Sequence, residues 1–333
     1  MKFINFLKTD IKIINSYFLI ILILLILICV GYSSYALFSF SKTSNNIIEL
    51  EVGEMTKLAT ETLIAQTDNL NESGLYTIVH SADNTLQIGA TESITEYRYR
   101  GANPKNYVSF NNEVWRIIGV FPTEDENGNI ENRIKLIRNE SIGKYYWNTS
   151  SSNNWARPAT LNTYLNETYL SSLTSEAQNM IGSSKYYLGG FSSDNITSVY
   201  MYKYERKISG SSSYYGNNPT NWLGKLALMY ASDYGYASVN CEMKALYNSS
   251  SSNDIRACND TNWLYNIKTY EWLLSQYSII NINTFSVNIH GYIETATTVY
   301  NSQYAVRPVV YLTSAVQITG GEGTSTNPYT LGL

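Results

Sequence analysis

Hydrophobic residues are spread unevenly along this chain, and the densest concentration comes first. From Ile13 to Ser41 it runs 29 residues without a charge, and Tyr17–Val30 (YFLIILILLILICV) is almost wholly apolar. About 20 apolar residues cross the hydrocarbon core of a bilayer. The pattern therefore predicts a transmembrane signal anchor over 13–38, embedded in the lipid bilayer behind a cytoplasmic tail at 1–12. Lys2, Lys8 and Lys12 in front outnumber Lys42 behind, which sets the N-terminus inside the cell and the rest of the chain outside it. A long signal peptide is the other reading: Ser34-Tyr35-Ala36 offers small residues where a signal peptidase cuts, which would release the chain after Ala36. The length of the apolar run favours retention.

Beyond that run the pattern changes twice. Residues 43–92 carry one aromatic, Tyr76, whereas 26 of the 30 Tyr fall from Tyr97 onward. The segment 39–92 reads as a stalk, with a short strand at Ile47–Val52, and 93–333 as an extracellular domain. There Tyr107–Phe110 and Glu113–Phe121 flank Asn111-Asn112, two residues tolerant of positive φ, in the grammar of a hairpin. Asn127-Gly128 marks a second turn leading into Arg133–Arg138, so three sequential antiparallel strands are predicted. Leu161, Tyr164, Leu165 and Tyr169 recur at helical spacing behind Pro158, which predicts a helix over Ala159–Tyr169. Thr174 caps a second helix over Ser175–Ile181. Val199–Tyr204, Lys225–Tyr230 and Ala305–Leu312 are short β-branched or aromatic pieces and read as strand-like. The sum is an α+β domain with few helices and long loops.

Composition narrows the chemistry. A net charge of -4 argues against an electrostatic grip on nucleic acid. Charged residues make up only 15% of the chain, against roughly 25% in ordinary soluble domains, so hydroxyls and amides carry the surface polarity. Two His and three Cys leave little material for a His/Cys metal centre or a His-based triad, and no cofactor is expected. Asp125, Asn127, Asn129 and Glu131 alternate oxygen ligands as a calcium loop would. An EF-hand loop, however, wants Gly at its sixth position, whereas Gly128 is fourth and the hairpin turn already accounts for it. Calcium is left as a minor reading. Cys29 lies inside the apolar run; Cys241 and Cys258, in an oxidising exterior, predict a disulfide, with two free buried thiols as the alternative.

The six Trp all lie within the domain, and four have Asn beside them: Trp147-Asn148, Asn154-Trp155, Asn221-Trp222 and Asn262-Trp263. Aromatic faces stack on the apolar side of sugar rings while neighbouring amides bond the ring hydroxyls. Trp147, Trp155, Trp222 and Trp263 are therefore candidate ligand-binding residues, Trp147 and Trp155 foremost because their surroundings are the most polar. The plain alternative is that each anchors a small core. Arg307, which with Pro308 interrupts the apolar stretch Ala305–Leu312, is a fifth candidate, set against a structural Arg that pairs with a carboxylate or loop carbonyls. For catalysis, His80 falls in the stalk, His290 precedes Gly291, no G-x-S-x-G is present, and nothing places acidic pairs such as Glu140 and Asp233 at a working separation. No catalytic residue is assigned.

The runs Tyr99-Arg100-Gly101-Ala102-Asn103-Pro104, Val114-Trp115-Arg116-Ile117-Ile118-Gly119, Asn154–Asn166 and Val306-Arg307-Pro308-Val309 are similar to uncharacterised exported proteins of Firmicutes and related low-GC bacteria, over most of 97–333. The order of a W-R-I strand, an L-N-x-Y-L-N helix, the segment 228–234 and a V-R-P strand also resembles a broader bacterial domain of unknown function. That domain is distantly like the formylglycine-generating-enzyme and C-type-lectin-like folds. The resemblance implies a mostly antiparallel two-sheet domain, C-type-lectin-like, whose long loops bind a ligand and are stapled by Cys241 and Cys258. Formylglycine-generating enzymes use a reactive cysteine pair; here only two exported Cys are present, which argues against carrying over the oxidase activity. Gly31–Ser39 separately resembles the export segments of bacterial biofilm-fibre and camelysin-like proteins.

These observations lead to the expectation of a membrane-tethered surface protein whose domain binds a glycan, a mucin, or a host or envelope protein. The alternatives are a structural coat or fibre subunit and, further off, a cell-envelope hydrolase or oxidase.

Overall fold

The computed structural model describes residues 18, 20–28, 57–149, 155, 157–191, 197–208, 219–247, 252–266, 268–277, 283–296 and 303–333. The chain divides into two units, Met1–Thr56 and Lys57–Leu333. In the first, Phe18 and Ile20–Ile28 are helical with exposed apolar side chains. The rest of the expected anchor at 13–38, the tail at 1–12, the cleavage position after Ala36 and residues 39–56 of the expected stalk lie outside the described residues. Among the described residues no helix is long and apolar enough to cross a membrane.

The second unit is α+β, mostly strands with few helices. Its strands are β1 (Gly74–His80), β2 (Ile94–Arg100), β3 (Tyr107–Phe110), β4 (Glu113–Glu124), β5 (Ile130–Arg138), β6 (Lys144–Tyr146), β7 (Ser184–Tyr187), β8 (Gly190–Phe191) and β9 (Asn221–Gly224). After these come β10 (Leu226–Ala227), β11 (Glu271–Tyr277), β12 (Thr284–Val287), β13 (Ile293–Ala296), β14 (Gln303–Ala305), β15 (Val309–Tyr311), β16 (Gln317–Gly320) and β17 (Tyr329–Gly332). The larger sheet runs β10-β15-β5-β4-β3-β17-β16, with β2 joining β1 to the far half of β4; the second runs β13-β12-β11-β14-β6, with β8 beside β11; β7 and β9 form a separate pair. Most pairings are antiparallel, the exceptions being β11 with β14, β11 with β8, and β17 with β3.

Local chemistry explains the hairpins. Asn111 and Asn112 both take positive φ, 55° and 57°, which matches a two-residue turn to the right-handed twist of β3 and β4. Strand β4 is buried continuously from Trp115 to Phe121, the signature of a strand covered on both faces. One residue is extra on β4 between Ile117 and Gly119, a bulge that bends the strand. Gly119 faces Arg98 on β2, and a Cβ there would overlap the Tyr97 carbonyl oxygen.

Three expectations are corrected. Residues 57–92 belong to the compact unit and are not stalk: Ala59, Leu63, Leu75 and Ile88 enter the main core, and β1 pairs along its length with β2. The sparse aromatics hid this, because aliphatic side chains fill the core there instead. Val199–Tyr204 lies inside a helix, Ser198–Glu205, whose buried residues Ser198, Met201, Tyr202 and Glu205 follow helical spacing. The Ala305–Leu312 stretch is two strands in two sheets, β14 and β15, with Val306–Pro308 crossing between them. Pro308 cannot donate to a ladder, and Arg307 turns into an ion pair with Glu271, so the crossing falls where the stretch loses its strand bonds.

A disulfide joins Cys241 in the helix Val239–Glu242 to Cys258 in the helix Ser252–Asp260, 17 positions apart, with both side chains buried.

Candidate functional site

The helix predicted behind Pro158 positions one wall of a cleft. It starts at Thr160–Thr163, widens through a π-helical stretch at Tyr164–Tyr169 and ends at Leu170–Ser172. Such stretches recur at functional sites. The preceding loop is tied to its first turn: Asn148 Oδ1 accepts from Thr160 Oγ1 at 2.8 Å, and Leu161 N donates to the Trp147 carbonyl at 3.1 Å. That anchoring holds Trp147 against Trp272, edge to face at 5.8 Å, and beside Trp155 at 5.6 Å. From another direction comes Trp222 on β9, stacked on Tyr186 of β7 at 5.7 Å. Gly224, two residues on, leaves the space the Trp222 indole occupies, since a Cβ there would overlap the ring.

Trp147, Trp155 and Trp222 line a cavity of about 190 Å³. Its inner surface is aliphatic: Leu161, Leu165, Leu188, Ala227, Leu228 and Leu274 are all buried. Asn148, Asn162, Asn221 and Arg157 add polar groups, with Pro158 and Pro219 exposed at the edge. Asn221 Nδ2 is committed to Gln87 Oε1 at 2.6 Å. None of the indole N–H groups of Trp147, Trp155 and Trp222 has a hydrogen-bond partner among the described residues, and Arg157 has no ion-pair partner among them. The described lining includes no carboxylate, imidazole or thiol.

Three of the five sequence candidates thus meet in one cleft, and two lie elsewhere. Trp263 is in the core, its Nε1 donating to the Tyr99 carbonyl at 2.9 Å and its ring covered by the Arg116 guanidinium at 4.7 Å. Arg307 is buried: its Nε and Nη2 bond the two Glu271 carboxylate oxygens at 2.7 and 2.8 Å, and Nη2 also reaches the Leu264 carbonyl. The Asp125 carboxylate serves its own turn, accepting from Asn127 N and Asn129 N. No group of three or more His, Cys, Asp or Glu that could hold a metal occurs among the described residues. His290 is exposed, while Asp233 is sealed in the core and Glu140 lies on the surface.

A second polar constellation is closed to solvent. His80 Nε2 meets Glu96 at 3.2 Å, Arg98 bridges Glu96 and Asp233 at 2.8 Å each, and Lys135 Nζ lies 2.5 Å from Asp233. Arg206 stacks on Tyr202 at 3.7 Å, and Glu205 accepts from Ser232 and Ser275. Burial lowers the His80 imidazole and raises the Glu205 carboxyl. It also pushes the Lys135 amine down to about 8, against the pull of Asp233. Burial alone would raise Asp233, but Lys135 and Arg98 hold it below its ordinary range.

Arg157, Asn162 and the aliphatic floor are absent from the sequence candidates. For Asn162, Leu161 and Leu165 the signal was the L-N-x-Y-L-N pattern, which puts the two Leu on one helical face with Asn162 beside them; nothing comparable marks Arg157 or the rest of the floor. No family model, no curated protein and no solved structure matches this chain.

Proposed function

We propose that this is a membrane-tethered surface protein that binds an extracellular glycan in the cleft of Trp147, Trp155 and Trp222. The single observation that carries the reading is the convergence of three Trp, whose indole N–H groups meet no partner among the described residues, on one apolar cavity edged by amides. Ring faces supply stacking area; the N–H groups and the Asn162 side chain supply the directional bonds that a hydroxylated ring requires. A volume of about 190 Å³ is below the roughly 300–1,000 Å³ of a drug-sized site, and suits one ring or chain end rather than an extended ligand. The sequence resemblance to C-type-lectin-like domains points the same way, and the uncharged N-terminal run supports the membrane tether.

The test is a broad glycan and mucin array probed with the detergent-solubilised full chain, beside Trp155→Ala and Trp222→Ala. Both rings are only half-buried, so the variants should fold, and saturable binding should fall at least tenfold in each. Trp147 is 9% exposed, so its removal is expected to cost stability as well, about 3 kcal/mol or more. A blank array with folded protein, or undiminished binding by both variants, overturns the reading.

A further inference from the structure

Lys135 on β5 and Asp233 in the helix Ala231–Tyr236 meet inside the core with their side chains wholly sealed from solvent. The amine lies 2.5 Å from Asp233 Oδ2. Tyr230, Tyr311 and Phe121 ring it at 4.4, 5.3 and 5.6 Å. The carboxylate is held in place from its other sides: Arg98 Nη1 donates to Oδ1 at 2.8 Å, and the Tyr230 backbone N–H donates to Oδ2 at 2.9 Å. An amine and a carboxyl group fixed in contact, with water excluded, have one reaction open to them without any further reagent. We propose that Lys135 and Asp233 condense to an intramolecular isopeptide bond, a covalent modification that ties β5 to the Ala231–Tyr236 helix.

The step balances within the pair. One ammonium proton passes along the hydrogen bond to Oδ2, leaving a neutral amine and a carboxylic acid. The Nζ lone pair adds to Cγ, and the negative charge that develops on Oδ1 meets the Arg98 guanidinium already in place. The Cγ–Oδ2 bond then breaks, and Oδ2 leaves as water with its own proton and a second one from Nζ. The nitrogen goes from three hydrogens to one, nothing is oxidised or reduced, and no co-reactant takes part. Burial pushes the amine down towards its neutral form, while Lys135 and Arg98 hold Asp233 low and so oppose the proton transfer that the fixed contact must drive. Fixing the two groups in contact supplies the large effective concentration that an intramolecular reaction enjoys, and a dry product site protects the new amide from hydrolysis.

The test is a tryptic map of the full chain after disulfide reduction and alkylation. The bond blocks cleavage at Lys135, so Ile134–Arg138 should appear joined to Leu226–Lys244 in one species lighter than the two peptides by one water, with fragmentation placing the link between Lys135 and Asp233. Lys135→Arg keeps the cation but cannot form the amide, and should restore the separate peptides. Recovery of free Ile134–Lys135, Leu136–Arg138 and Leu226–Lys244 from the unsubstituted protein, with no linked species, overturns the proposal, as does a water loss that fragmentation places elsewhere. The unsubstituted protein gives this answer even if the variant fails to fold.

Discussion

Replacing Arg307 with Met tests the crossing between the two sheets. The substitution keeps the side chain long and removes its charge, leaving the Glu271 carboxylate in the core without the two bonds that now satisfy it. The side chains of the pair are 7% and 4% exposed. Breaking a buried pair by removing one partner costs about 3–5 kcal/mol, whereas an exposed pair is worth roughly 0–1 kcal/mol. The loss should also depend on pH. Burial already raises the Glu271 carboxyl above its ordinary value, with Arg307 pulling it back, so deleting the guanidinium raises it further. The folded variant then holds a proton at pH values where the unfolded chain has released it, and its stability falls as pH rises through that window. The deficit should be smallest near the ordinary carboxyl range and grow towards neutrality, and adding Glu271→Gln should flatten the dependence. Denaturant unfolding of the full chain followed by Trp fluorescence measures both. A deficit under about 1 kcal/mol at neutral pH, or one that is equal at about pH 5 and about pH 8, would refute the reasoning.

Two further outcomes are expected. Gly119→Ala pushes a methyl group into the Tyr97 carbonyl where β2 and β4 touch; backbone on both sides cannot yield as a side chain would, so the cost should exceed about 2 kcal/mol, and an unfolding midpoint equal to that of the parent would show that the strands are not so close. Replacing both Cys241 and Cys258 with Ala removes a 17-position closure and should lower stability by about 3 kcal/mol relative to the oxidised parent, read by the same unfolding assay, with the reduced parent expected to fall near the variant; no difference between oxidised parent and variant would contradict it.

The parts of the fold that were legible in the sequence are those set by neighbouring residues. Asn111-Asn112 and Asn127-Gly128 fix turns by their own backbone preferences, and Pro158 with Leu161 and Leu165 defines a helix within a few residues. What escaped depends on distant partners. Strand β1 carries a β-branched and aromatic run, Tyr76–Val79, but its place in the core depends on pairing with β2, which the segment alone does not reveal. The helix Ser198–Glu205 buries Ser198 and Glu205 along with Met201 and Tyr202; Glu205 sits inside because Ser232 and Ser275 satisfy it, so a search for apolar spacing misses the periodicity. The site shows the same division. An Asn beside a Trp flagged four rings, but Trp263 shares that dipeptide and ends in the core, because its N–H found the Tyr99 carbonyl. The cleft itself draws on the loop before Thr160, on β9 and on β11, and only folding brings these together.

The strand order also governs when the molecule can be finished. Strands β15 and β17 are made last, yet β15 lies against β5 and β17 against β3. A chain that emerges N-terminus first therefore carries β3, β4 and β5 through most of its synthesis with the outer edges of β3 and β5 bare. Unpaired edges recruit other strands, and closure over such long separations is slow. A nascent chain halted before Val309 is thus the species most prone to stick to its neighbours, and its safe passage rests on whatever shields those two edges until the final segment arrives.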